Sequence, residues 1–125
     1  MYRILVIDDD RSGTELLITL LELEGFQGCR LEDWADPLAD LERQRPDLVI
    51  MDVYLTVRDG VELLSEIRAH SEPRVAETPV LMMSAEDLEA RCMDAGANAF
   101  VGKPFELEQL VATIRKIVEE GLLEN

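Results

Sequence analysis

Four short, almost uninterrupted apolar runs, each leading to a residue able to do chemistry, constrain this chain more than any other feature. Residues 2–7 (YRILVI) stop at Asp8, Asp9 and Asp10, and residues 48–51 (LVIM) stop at Asp52. Residues 79–83 (PVLMM) stop at Ser84, and residues 99–101 (AFV) lead through Gly102 to Lys103. Runs this short and this apolar read as strands covered on both faces, the habit of parallel sheets. Amphipathic stretches lie between them. SGTE at residues 12–15 fits a capping box; Leu16, Leu17, Leu20 and Leu21 follow at helical spacing, and Gly25 ends that helix. FQGCRL (residues 26–31) is a more polar strand suited to a sheet edge. Leu38 and Leu41 after Pro37 predict a second helix, and Val61, Leu64 and Ile67 after the Asp59-Gly60 turn predict a third. Residues 87–95 predict a polar fourth helix closed by Gly96. Leu107, Leu110, Val111, Ile114, Ile117 and Val118 predict a strongly amphipathic fifth.

Five strands alternating with five helices specify an α/β architecture with right-handed crossovers. In such sheets ligands bind outside the carboxyl ends of the strands, where the strand order reverses. If the order is 2-1-3-4-5, strands one and three are neighbours and their carboxylates converge. Several carboxylates in one cleft repel, and a hard divalent cation such as Mg²⁺ relieves that repulsion. Lys103 adds an ammonium and Ser84 a hydroxyl, which together make a phosphoryl-transfer constellation. A carboxylate can itself be the nucleophile and form an acyl phosphate. Singly, each group has an ordinary role as helix cap, turn residue or solvated side chain. The joint pattern at four strand ends is what points to chemistry.

The 125 residues suffice for one domain with one core, and the 47% hydrophobic content is that of a soluble globular chain. Asp and Glu number 27 against 12 Lys and Arg, a formal charge of −15. Such a surface repels phosphate backbones and anionic lipid, which disfavours direct nucleic-acid or membrane binding and suits Mg²⁺ or a basic protein partner. No apolar run reaches membrane-spanning length, and MYRILVIDDD does not read as a signal peptide. Cys29 and Cys92 lack metal-site spacing, so a reduced, cytoplasmic chain is expected. Met51, Met82 and Met83 read as core residues, and His70 as a solvated residue near a helix end. GANAFVGK (residues 96–103) has five residues between its glycines, and Pro104 stands where a P-loop needs Ser or Thr, so nucleotide binding is disfavoured.

From Arg3 to about Val118 the chain resembles the receiver domain of two-component response regulators. ILVIDDD resembles the family's first strand with its acidic pair, Asp8 and Asp9. RPDLVIMD resembles the third, with the phosphoacceptor at Asp52. Asp59-Gly60, VLMMSA with Ser84 and Ala85, and AFVGKPF with Lys103-Pro104 complete the match. The resemblance implies a flavodoxin-like, doubly wound five-stranded parallel sheet in the order 2-1-3-4-5 with five helices. It implies a receiver domain over residues 1–120 and a tail or start of a linker at residues 121–125.

It also implies roles. Asp52 accepts a phosphoryl group from a histidine kinase, a phosphotransfer protein or a small phosphodonor, so the domain catalyses its own phosphotransfer and hydrolysis without being a turnover enzyme. Asp9 and Asp52 hold Mg²⁺ directly, Asp8 acts through water, and the Tyr54 carbonyl completes the shell. Lys103 pairs with the phosphoryl group, Ser84 hydrogen-bonds it, and Phe100 is the switch aromatic. Tyr54 and Glu86 flank the attacking water and tune dephosphorylation. The Lys103-Pro104 bond is cis. The switched surface comprises the fourth helix, fifth strand and fifth helix; it serves an output domain or downstream effector and allows a phosphorylation-dependent homodimer. Two positions depart from the family: Thr56 stands where Pro is frequent, and Arg58 where an apolar residue is common. Two other readings compete. One is a haloacid-dehalogenase-like phosphohydrolase with Asp8 as nucleophile, and the other an unphosphorylated interaction module.

Overall fold

The computed structural model describes residues 1–120; the tail expected at residues 121–125 lies outside the described residues. Among the described residues five strands are present: β1 (Arg3–Ile7), β2 (Gln27–Arg30), β3 (Leu48–Asp52), β4 (Val80–Ser84) and β5 (Ala99–Gly102). They pair in parallel in the order β2-β1-β3-β4-β5. The helices are α1 (Arg11–Leu23), α2 (Pro37–Gln44), α3 (Gly60–Arg68), α4 (Pro73–Ala76), α5 (Glu89–Asp94) and α6 (Leu107–Glu120). All five expected helices are there. The four-residue α4 is an addition, a single turn started by Pro73 and anchored by the buried Val75.

The apolar runs are buried because both faces of the sheet are covered. One face packs Leu5, Ile7, Val49, Met51, Val80 and Met82 against Leu41, Leu63, Leu64 and Ile67. The other packs Ile4, Val6, Ile50, Leu81 and Met83 against Leu17, Leu21, Leu110, Ile114 and Ile117. Alternate residues of each strand thus feed opposite layers, as the two-residue period requires. The polar β2 lies at an edge, as expected.

Four local expectations are revised. The first helix begins at Arg11 with Asp10 as N-cap, so Ser12 lies inside it and the capping box does not form; the loop from β1 is too short to delay the helix. Leu16 is 61% exposed, because the core stripe of α1 follows Thr14, Leu17 and Leu21 instead. The polar fourth helix expected at residues 87–95 is shortened to α5, in which Cys92 is the buried residue. His70 is not free in solvent: its Nε2 lies 2.8 Å from Glu42, and its Nδ1 accepts the Glu72 N–H at 3.0 Å.

Candidate functional site

The register of the two central strands sets the site. Ile7 of β1 pairs with Met51 of β3, so Asp8, just past β1, and Asp52, the last residue of β3, follow side by side. Lys103 follows β5; its backbone N–H donates to the Ser84 carbonyl at 2.8 Å, and its peptide bond to Pro104 is cis, as the resemblance implied. Its Nζ lies 2.7 Å from Asp52 Oδ1 and 3.9 Å from Asp8 Oδ2. Asp8, Asp10, Asp52 and Lys103 share a cleft of about 210 Å³ with Gly13, Leu16, Leu17 and Leu20 of α1.

The end of β3 is approached closely by the glycine that opens α3. A Cβ on Gly60 would sit 2.3 Å from the Asp52 carbonyl oxygen, so the first turn of α3 packs directly on the end of β3. Asp59 caps that helix, its Oδ1 accepting the Val61 N–H at 2.7 Å. On the other side, Thr14 within α1 donates its hydroxyl to the Asp8 carbonyl at 2.9 Å and fixes the turn leaving β1.

Charge is not balanced here. Burial raises the pKa of Asp52; Lys103 pulls it down through a hydrogen bond and its charge, while Asp8 and Asp9 push it up again. Asp9 goes the other way. Hydrogen bonding from Thr56 overcomes burial and holds its carboxyl low. The donor set fits a hard divalent cation: the side chains offer carboxylate oxygens, and one ammonium does not offset three acidic groups.

The remaining expected residues surround this centre. Ser84 is buried at the end of β4, next in sequence to Met83, which pairs with Asp52; its Oγ accepts the Glu86 N–H at 3.0 Å. Phe100 is partly buried on β5 and packs against the core layer that contains α3. Tyr54 is exposed, and its hydroxyl donates to Glu86 Oε1 at 3.0 Å. Arg91 of α5 reaches Asp59 at 2.5 Å. Two contacts therefore tie the loop after β3 to the segment after β4.

Sequence reasoning gave no role to Thr56, Asp40 or Trp34. The Thr56 N–H donates to Asp9 Oδ2; its only sequence trace was a departure from the family's usual proline. Asp40 is fully buried and accepts from the backbone N–H groups of Glu32 and Asp33, from Gln44 and from Arg43. It fastens the loop after β2, which carries Trp34 into a cleft of about 590 Å³ beside Asp8, Asp9 and Thr56. Nothing in the local pattern separates Asp40 from the solvated acids around it.

The family model described as the response regulator receiver domain matches residues 4–115. Response regulator MprA of Mycobacterium ulcerans (strain Agy99) is 32% identical over 126 residues, covering 98% of this chain and 53% of that protein. The chain spans about half the length of the curated relatives it matches. A putative response regulator from Chloroflexus aurantiacus J-10-fl superposes with a TM-score of 0.84 at 31% identity, over 94% of this chain and 97% of that one. The receiver domain of sensor histidine kinase PA1611 from Pseudomonas aeruginosa PAO1 superposes with a TM-score of 0.80 at 27% identity, over 94% of this chain and 97% of that one. It was solved with a magnesium ion coordinated in its active site cleft.

Proposed function

We propose, from the premise that this chain belongs to the response regulator receiver domain family, that Asp52 is the phosphoacceptor of a two-component phosphorelay. The observation that carries this reading is the 2.7 Å ion pair between Lys103 and Asp52 at the carboxyl edge of the sheet, with Asp8 facing the same ammonium. The Asp52 carboxylate attacks the phosphorus of a phosphohistidine or a small phosphodonor; the new P–O bond forms as the donor's bond to phosphorus breaks, leaving an acyl phosphate. Lys103 moves from the carboxylate to a phosphoryl oxygen. Asp9 and Asp52, with Asp8 through water and the Tyr54 carbonyl, would hold Mg²⁺, which when bound supplies charge neutralisation for the phosphoryl oxygens.

Ser84 gives up its bond with the Glu86 N–H and donates to a phosphoryl oxygen instead. Phe100 then turns inward, and the surface of α5, β5 and α6 rearranges. The small apolar anchor of α5 supports a low cost for that shift. Tyr54 and Glu86 tune loss of the phosphoryl group by water. The donor is a histidine kinase or phosphotransfer protein. The readout lies in an output domain or separate effector, with a phosphorylation-dependent homodimer as one form it takes. A cytoplasmic location accords with the finding that, among the described residues, no helix is long and apolar enough to cross a membrane.

Incubating the chain with acetyl phosphate and Mg²⁺ and weighing it intact tests the reading. One phosphoryl adduct on the wild type and none on Asp52→Asn is expected. An adduct that survives Asp52→Asn and disappears in Asp8→Asn, with turnover of phosphate esters, would favour the phosphohydrolase.

A further inference from the structure

In this structure Asp9 is already engaged. Its Oδ2 accepts the backbone N–H of Thr56, which binds Asp9 to the loop that follows β3. Among the described residues, no three acidic, His or Cys side chains converge closely enough to hold a metal ion. One oxygen of Asp9 is committed to the loop. The loop exposes Tyr54, Thr56 and Val57, and its own ties are a bridge between Tyr54 and Asp59, the Leu55 N–H on the Arg58 carbonyl and the Arg58–Glu66 ion pair. Leu55 is its buried anchor, and Tyr54 and Asp59 cross to Glu86 and Arg91. Position 56 offers an N–H at all only because it is not proline. A hydrogen bond to a carboxylate is charge-assisted and therefore strong. A divalent cation requires lone pairs of the same group.

We propose that the Thr56 N–H and the divalent cation compete for Asp9, so that the loop after β3 is a metal-sensitive latch. It is closed on Asp9 without the cation and released when Asp9 turns to it. The proposal rests on the reading of this site as a Mg²⁺-dependent phosphoacceptor. Because Tyr54 and Asp59 lie in the same loop, releasing Thr56 loosens the ties to Glu86 and Arg91 before any phosphoryl group arrives. The latch also weakens apparent metal binding, since the competent site is populated for only part of the time.

Amide NMR spectra of the full chain during titration with MgCl₂ test this. The Asp8 and Asp52 amides report entry of the cation, and the Thr56 amide reports the latch. The Thr56 proton, shifted downfield by the carboxylate, is expected to move upfield with the same midpoint, and its exchange with solvent to quicken several-fold. Thr56→Pro removes the N–H donor and is expected to bind Mg²⁺ several-fold tighter by calorimetry. Thr56→Val keeps the N–H and should bind as the wild type does. Movement at Asp8 and Asp52 with an unchanged Thr56 amide would overturn the latch alone, showing that Asp9 serves cation and loop together. Silence at all of these amides would overturn the metal reading and the latch with it. The wild-type spectra decide the matter even if Thr56→Pro fails to fold.

Discussion

At the amino ends of the strands, the Arg68 guanidinium donates to the carbonyls of Gly96, Ala76 and Thr78 at 2.7–2.9 Å and to Asn98 Oδ1 at 2.8 Å. Asn98 Oδ1 also accepts the Val80 N–H, and Asp47 accepts the Arg3 N–H. Donors and acceptors there are matched. At the carboxyl ends, Lys103 faces Asp52 and Asp8 while Asp9 is drawn off to Thr56. The same sheet carries both ends on the same strands. One end spends its polar groups on holding loops in place. The other keeps like charges close together and so is less stable than it would be with neutral groups, a pattern suited to binding a cation and a phosphoryl group.

Removing the hub at the settled end has the largest expected effect. Arg68→Met takes the guanidinium donors from three backbone carbonyls and one of two donors from Asn98 Oδ1, and is expected to cost about 3 kcal/mol. Urea unfolding checks the loss, and the folded fraction should still take up phosphate at the wild-type rate. A slower uptake would mean that the two ends are not independent. Gly60→Ala acts where scaffold meets site. Its methyl would press on the Asp52 carbonyl, so a cost of about 2 kcal/mol and slower phosphorylation are expected together.

Asp52→Asn tests the charged end directly. The folded pKa of Asp52 lies above its ordinary 3.8, so ionising it costs stability. The contribution of the protonated group is complete below the unfolded value and is lost as pH rises through the folded one. Asp52→Asn should therefore raise the thermal midpoint by a few degrees near neutral pH, and the gain should vanish as pH falls below 3.8. An equal gain at both pH values would place its origin outside charge. The smallest effect belongs to Tyr54→Phe. It removes an exposed hydrogen bond to Glu86, so the unfolding midpoint should not move, while the lifetime of the phosphorylated form should change a few-fold.

The sheet and the carboxyl-edge residues were legible because burial on two faces forces continuous apolar runs, and such runs end abruptly where chemistry begins; the strand order came only from the family resemblance. The edge strand β2 was legible for the opposite reason, its polarity. The matched amino end was not. Arg68 lies on a helix whose apolar face predicted the fold well, yet three of its four partners are backbone carbonyls, which carry no residue identity. Asp40 escaped for the same reason, since two of its donors are the backbone N–H groups of Glu32 and Asp33. The bond between Thr56 and Asp9 is also a main-chain contact. α4 is a single turn, too short to show a periodicity.

Borohydride reduction of the chain after reaction with acetyl phosphate and Mg²⁺ converts an aspartyl phosphate to homoserine, and peptide mass mapping locates it. The account predicts homoserine at position 52 and an unmodified position 8. Homoserine at position 8, or none anywhere under conditions where Mg²⁺ binds, would contradict it.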